Sequence, residues 1–455
     1  MSILWNCLSI IFLCTWSIQH LNVPAMRPQA DSTWQKIWWA ILDSRTKVKW
    51  MLFTILVPEY IVGKALSELI ANGSSKHRLE ETKLLRGTDE RWNKTKTYMA
   101  NMGYFIVDFR KYWLEANNSN LNRLVEIQGS EGPDRGFATK LATPEYSLRE
   151  EVQLLLKDDW RAESTQLNLS RLSQPYWALS ARQLSLLAPI IDLPDVPVRQ
   201  LEVLDRGDAL VKALALVQII YLIIQLVARK VGDLPSAQLE IAALAFSAAS
   251  FITYSLYWNR PQGVESVHVI KPKCAPSRLR IGSIASAGPV FLWTKFRPLY
   301  KFEKVYDVEP IPNDGLLYIE YFTGAIGLNS EIVVFAGGAF LGGTIFGAVH
   351  CLAWNFHFPT PGEALTWRIC SVMTSALPLF SALPLGIWMR WHPWDTKPQK
   401  LPAVRFALGL ILVFGCLVPY ILARLYLIAE MFRSLFFLPP EAFVDTWSGS
   451  FPHLG

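Results

Sequence analysis

The sequence predicts an all-α polytopic membrane protein with about seven transmembrane helices, one large extramembrane loop and one medium one. Three observations lead there. Hydrophobic residues make up 51% of the chain while mean hydropathy is only +0.22, so apolar residues are gathered into spans separated by long polar segments. One run, Ile332–Val349, is uncharged, rich in glycine and long enough to cross a bilayer. The net charge of +6 is mild and spread along the chain, which fits the basic flanks of membrane spans and not a nucleic-acid footprint.

Taken in order, residues 1–71 hold the first two expected spans. Residues 1–19 carry no charge and lack the positive start of a secretory leader, so they read as an uncleaved first span. Arg27, Lys36, Arg45, Lys47 and Lys49 follow, placing that loop in the cytoplasm and the N-terminus outside. The second span begins at Trp50. Pro58 should bend it, and Glu59, Lys64 and Glu68 are costly in hydrocarbon; Lys64 and Glu68, one turn apart, can pair.

Residues 72–207 contain no span and are expected to be an extramembrane region with amphipathic helices. Ser147-Leu148-Arg149-Glu150 has the capping-box pattern, followed by Leu148, Val152, Leu155 and Leu156 at helical spacing. Four glycosylation sequons, at Asn72, Asn93, Asn117 and Asn168, fall here and nowhere else, which points to a lumenal or extracellular glycoprotein region. Residues 208–258 supply spans three (Ala213–Ala228) and four (Ala237–Trp258), joined so tightly that they should be antiparallel neighbours.

Residues 259–330 form a basic extramembrane loop with nine Lys/Arg against six Asp/Glu. With seven spans and an outside N-terminus this loop is also outside, against the positive-inside preference. Residues 331–428 hold spans five to seven, and 429–455 are an apolar, aromatic tail. In span five, the pairs Gly338/Gly342 and Gly343/Gly347 have the small-xxx-small spacing that lets another helix approach closely. Five of the six cysteines lie in or beside apolar spans, and no CxxC spacing occurs, so neither a disulfide framework nor a zinc ribbon is implied.

The residues suited to chemistry gather where span five ends. His350, Trp354 and His357 share one face if the helix continues, with Glu363, Trp367 and Arg368 close behind. Glu59, Glu240, His350 and Glu363 are the candidate catalytic groups, and Trp354, His357 and Arg368 the candidate binding groups. Seven residues of helix separate the two histidines by about 10 Å along the axis, too far for one ion, so no metal site is expected. The structural reading of these groups comes first: Glu59 a buried hydrogen bond, His350 and Trp354 an aromatic girdle at the interface. The histidine boxes of desaturases, an aspartate-rich diphosphate motif, a nucleophile elbow and a Walker A loop are all absent, and no motif names a cofactor.

Several strings together resemble a family of multi-pass membrane proteins common in fungal genomes and without an established activity. They are His20-Leu21-Asn22-Val23-Pro24; Lys49-Trp50-Met51 with Pro58-Glu59-Tyr60; Asn101-Met102-Gly103; and Asp205 to Lys212 with Gln218, Gln225 and Arg229. Leu234-Pro235 with Leu239-Glu240, Tyr254 with Trp258, and Phe346 to His350 with Phe358-Pro359-Thr360, Glu363, Trp367 and Arg368 complete the set. The likeness spans most of the chain outside 104–200 and 265–330. Where the family pattern has Lys-Pro after the fourth span's tryptophan, this chain has Arg260-Pro261. The resemblance implies a membrane fold and carries over no catalytic residue.

Three functions of different kinds stay open. One is a membrane-embedded enzyme acting on a lipophilic metabolite, of the sort found in secondary metabolism, with Glu59, Glu240, His350 and Glu363 as its site. The second is a transporter or channel using the same groups as a path. The third is a scaffold or receptor whose extramembrane region binds a partner. All three place the chain in the bilayer of the endomembrane system or the plasma membrane, with a lipophilic small molecule as the expected ligand of the first and no nucleic-acid partner.

Overall fold

The computed structural model describes residues 2–24, 32–84, 92–113, 148–158, 163–194, 196–204, 209–291, 308–317, 319, 330–390, 407 and 409–443. The chain is mostly helical, and it is not all-α: six short strands form two small sheets. Strands of two to four residues are too short to show alternation, which is why the sequence pattern did not reveal them.

In chain order the first elements are α1 (Ser2–Ser17), α2 (Thr33–Leu56), α3 (Pro58–Leu84), α4 (Lys94–Asn101) and β1 (Phe105–Asp108). Next come α5 (Leu148–Lys157), α6 (Glu163–Arg171), β2 (Tyr176–Ala178), α7 (Ala181–Leu187) and α8 (Val198–Val203). Two long helices follow, α9 (Ala209–Val231) and α10 (Gln238–Leu256), then β3 (His268–Ile270), α11 (Arg278–Ser286), β4 (Val290–Phe291), β5 (Val308–Glu309) and β6 (Gly315–Leu316). The last long helices are α12 (Ser330–His350), α13 (Pro361–Arg390) and α14 (Val418–Arg433), the last preceded by a π-helical stretch, Ile411–Leu417.

Among the described residues, three helical stretches are long and apolar enough to cross a membrane: Gln238–Leu256, Glu331–Ala353 and Phe414–Phe437. The expected fourth, fifth and seventh spans are recognisable in them. Others among the expected seven are corrected by chain geometry. The first is only 16 residues long, about 24 Å at 1.5 Å per residue and short of a ~30 Å hydrocarbon core. The second is not one helix: α2 and α3 meet at Val57–Pro58 with a bend of 109°. Pro58 lacks the N–H that would continue the helix, and as the first residue of α3 it suits a helix start.

The boundary expected at residue 72 also moves. Helix α3 runs on from Pro58 without a break, and its Leu79 is fully buried in the core of an α/β domain. That domain draws on both polar regions. Its four-stranded sheet has the order β3-β1-β2-β5, so the two central strands come from 72–207 and the two edge strands from 259–330. Strand β1 pairs antiparallel with β2 (Ile106 opposite Ala178) and parallel with β3 (Ile106 opposite Val269). One continuous core joins Phe105, Val107, Leu148, Val152, Leu184, Ile281 and Ile284. The two loops expected to be separate are one folded unit, and α9–α10 is a hairpin inserted in it.

Elsewhere the local patterns hold. The apolar positions Leu148, Val152 and Leu155 are the buried face of α5, while Ser147 lies outside the described residues. Gly103, at φ 88°, turns the chain from α4 into β1, a conformation side chains with a Cβ rarely adopt. The six cysteines are free.

The helical bundle is held by close approach to α12. A Cβ on Gly63 of α3 would lie 2.5 Å from the Phe335 carbonyl oxygen, and one on Gly338 would lie 2.9 Å from the Gly63 Cα. Gly342 meets Val62 of α3, whereas Gly343 and Gly347 meet α13 at Pro378 and Ser375. The two small-residue pairs thus serve two neighbours: the first seats α3, the second seats α13. Replacing Gly342 or Gly347 with Leu should cost at least ~1–3 kcal/mol of stability by forcing these backbones apart. Gly337→Ala, where an added Cβ meets nothing within 4 Å, should leave the melting temperature of the detergent-solubilised protein unchanged; equal melting of all three variants would contradict the packing.

Candidate functional site

Glu59, Glu240 and His350 are all buried, as expected of ionisable groups in apolar surroundings. Each has its own hydrogen-bond partners, and the cleft that His350 lines is lined by neither Glu59 nor Glu240. Glu59, on the first turn of α3, accepts a hydrogen bond from the Tyr420 hydroxyl of α14 at 2.6 Å. Glu240 closes the N-terminus of α10: one carboxylate oxygen accepts from the Ala237 N–H at 2.9 Å, the other from Gln225 Nε2 of α9 at 3.0 Å. Arg229 Nε lies 3.9 Å from the same carboxylate. This is helix capping combined with an interhelix bond, and it welds the α9–α10 hairpin.

His350 ends α12. Its Nδ1 lies 2.8 Å from the Phe346 carbonyl, and its ring is flanked by Phe346 and Trp367. It lines a narrow cleft together with Phe246, Phe346, Arg424 and Met431, which has room for about one water molecule. Arg424 is buried and lies 4.0 Å over the Phe346 ring. Tyr420 and Arg424 are one turn apart on α14, so Glu59 and His350 touch the same helix at different levels while Glu240 stands apart.

The other candidates shape the turn between α12 and α13. Trp367 Nε1 donates to the His350 carbonyl at 3.2 Å, and Arg368 Nε donates to the Trp354 carbonyl at 2.9 Å with its guanidinium over the Trp354 ring. Glu363 pairs with Arg433 of α14 at 2.5 Å. The His357 side chain is exposed, and its carbonyl accepts from Gln238 Nε2 at 2.6 Å. These residues lock α10, α13 and α14 to one end of α12. Among the described residues no group of three or more His, Cys, Asp or Glu is placed to hold a metal ion.

The sequons have structural roles too. Asn72 lies inside α3 and Asn168 inside α6, each 1% exposed, and an N-linked glycan has no room at either. Asn93 is the N-cap of α4, its side chain accepting from the Lys96 N–H at 2.7 Å. Asn117 lies outside the described residues.

The most heavily charged buried cluster was not among the candidates. At the opposite end of the bundle, where α1 and α10 end against the α/β domain, Glu68 forms ion pairs with Arg260 and, at 3.5 Å, with Lys64. Arg260 also donates to Asn22 Oδ1 at 2.8 Å and lies over the Tyr257 ring. Every polar group of the Asn22 side chain is used, its Nδ2 donating to the carbonyls of Ile311 and Pro312 at 3.1 Å. The Asn22 N–H donates to Asn313 Oδ1, and Lys64 donates to the Asn313 carbonyl. Val23 N–H in turn bonds to the Met102 carbonyl at 3.0 Å. Burial pulls the Arg260 guanidinium down to about 9, which leaves it protonated at neutral pH. The signal in the sequence was the strings 20–24, 101–103 and 260–261, which share no periodicity but meet in space.

Residues 165–286, about a quarter of the chain, match the model of a family described as a family of unknown function (DUF8562). The matched stretch starts in α6 and ends in α11, so it contains the α9–α10 hairpin with parts of the α/β domain on either side. No curated protein and no solved structure matches the chain.

Breaking a buried ion pair leaves a charge without compensation, at a cost of about 3–5 kcal/mol. Arg260→Met and Glu68→Leu should each reduce the yield of folded protein or its melting temperature sharply. The double variant should lose clearly less than the two single losses together. Strict additivity in thermal unfolding would show that the pair does not act as a unit.

Proposed function

We propose that this chain is an integral membrane protein that fixes a folded α/β domain against the cytoplasmic face of a bilayer, a scaffold or receptor and not an enzyme. The observation that carries this is the outer surface of the bundle. Helix α9 exposes Leu216, Val217, Ile220, Ile223 and Val227, α13 exposes Leu365, Ile369, Val372, Leu379 and Phe380, and α14 exposes Ile421, Leu422 and Leu425. An apolar surface of that extent is costly in water and natural in lipid. On this reading α9 and α13 cross the bilayer beside α10 and α12 as antiparallel hairpins, and α1 inserts alongside α10.

The bend at Pro58 favours the cytoplasmic side. Because α2 and α3 turn back without crossing, the basic residues Lys36 to Lys49 of α2 and the described part of the α/β domain lie on one side. The turns on the other side, 232–237 and 351–360, contain no Lys or Arg. The positive-inside rule then places domain and basic stretch together in the cytoplasm, and the earlier conflict over residues 259–330 disappears. The enzyme reading is weakened because Glu59, Glu240 and His350 each bond to different partners and the cleft at His350 has room for only about one water. Either the endomembrane system or the plasma membrane suits this arrangement.

In sealed vesicles with their cytoplasmic face outward, added protease should degrade the domain, the protein should resist alkaline carbonate extraction, and endoglycosidase should leave its gel mobility unchanged. A domain protected from protease together with a glycosidase-sensitive shift would put it on the lumenal side. Release by carbonate would remove the integral-membrane reading altogether.

A further inference from the structure

Helix α2 barely touches the rest of the molecule. Its C-terminal part is rooted by Trp50 stacked on Tyr60 and by Thr54 bonded to Gln19, while Tyr60 also meets Phe335 in the second turn of α12. Between Thr33 and Lys49 no described side chain is buried. Yet Trp34, Ile37, Trp38, Ile41, Val48 and Leu52 fall on one face at spacings of three, four and seven residues, with Trp34 80% and Trp38 59% exposed. Lys36 and Lys47 lie on the other face, Lys49 sits at the edge of the stripe, and Arg45 lies within it, four residues after Ile41, where a long basic side chain can reach outward to the surface. Thr33–Leu56 carries four basic residues against one acidic residue.

Orientation supplies an independent argument. Helix α3 packs along α12, a membrane-spanning candidate, through Gly63, Gly338 and Gly342. Helix α2 departs from α3 at 109°, about 19° from a right angle, so it lies closer to the membrane plane than to its normal; the bend lies opposite Gly343, and Trp50 with Tyr60 brings α2 beside Phe335 in the second turn of α12. That level is the side on which the α/β domain sits.

We propose that α2 is an interfacial anchor, lying in the plane of the leaflet next to the domain, with its tryptophan stripe among the acyl chains and Lys36, Arg45, Lys47 and Lys49 binding anionic phospholipid headgroups. The inference rests on the integral-membrane reading above. The features match an in-plane amphipathic helix: an apolar face with tryptophan, a basic flank and an end fixed in the bundle. Lys47, on the face opposite the stripe and 4.4 Å over the Trp16 ring, ties that side of α2 to the exit of α1. Each basic side chain near an anionic surface contributes about 1 kcal/mol, roughly fivefold in affinity.

The test uses the full chain with Cys274, Cys351 and Cys416 replaced by serine and one spin label, at Ile41→Cys or at Lys36→Cys. The protein is reconstituted in phosphatidylcholine vesicles with and without phosphatidylserine. With phosphatidylserine, the label at 41 should be reached by oxygen dissolved in the lipid and the label at 36 by an aqueous nickel chelate. Combining Ile41→Cys with Lys36→Glu, Arg45→Glu and Lys49→Glu should lower the oxygen access of the label at least tenfold. Both labels open to the chelate in every vesicle, with the protein still carbonate-resistant, would overturn the anchor while leaving the membrane reading intact. Equal oxygen access with and without phosphatidylserine would overturn the anionic-lipid assignment. Shielding of both labels from both quenchers would mean a protein partner covers α2 and would also overturn it. Extraction of the protein by carbonate would remove the membrane reading itself.

Discussion

The ion pair between Glu68 and Arg260 is the constraint on which the rest of this structure depends. Glu68 lies in α3, the helix that runs from the bundle into the domain, and Arg260 follows α10, whose exit returns the chain to the same domain. Removing two charges from water costs several kcal/mol per ion, so the pair is tolerated only where its remaining hydrogen-bonding capacity is also met. Asn22 and Lys64 help to meet it, and both reach the turn at Asn313 that precedes β6. One polar knot thus ties four distant segments together where a helix bundle ends and an α/β domain begins.

A second constraint follows from proline chemistry. On the proposed membrane reading, a straight helix from Trp50 to Ile70 would have carried the chain across the bilayer and separated the basic residues of α2 from the domain. Pro58 ends that possibility by starting a new helix at 109° to the old one. The glycines of α12 then let α3 and α13 approach at backbone distance, so the bend is held from two sides by packing. Topology here is a consequence of one imide nitrogen and four hydrogen atoms in place of side chains.

The apolar spans and the helix-packing glycines were legible in the sequence because they are local: composition over about twenty residues marks the first, spacing by four marks the second. The interior placement of Glu59, Glu240 and His350 was legible for the same reason. Their partners were not, since Tyr420 is 361 residues from Glu59 and no period connects them. The α/β domain was hidden because β1 and β3 are separated by the α9–α10 hairpin, and because two- to four-residue strands carry almost no pattern. The sequons at Asn72 and Asn168 show why three residues alone do not mark a glycan: asparagine also fills buried polar positions, as Asn168 does in bonding to the Pro289 carbonyl.

The central claim is that the two polar regions on either side of α9 and α10 form one domain. Asp192 and Lys273 come from different regions and form an exposed ion pair at 2.7 Å. Cysteines at these two positions, with Cys274 replaced by serine, can be joined in native membranes by a short bismaleimide. Cleavage at a protease site inserted at residues 205–208 then separates the regions in sequence. The account predicts that the two fragments migrate as one cross-linked species on a denaturing gel. Fragments that separate completely, from protein confirmed to be labelled at both cysteines, would contradict it.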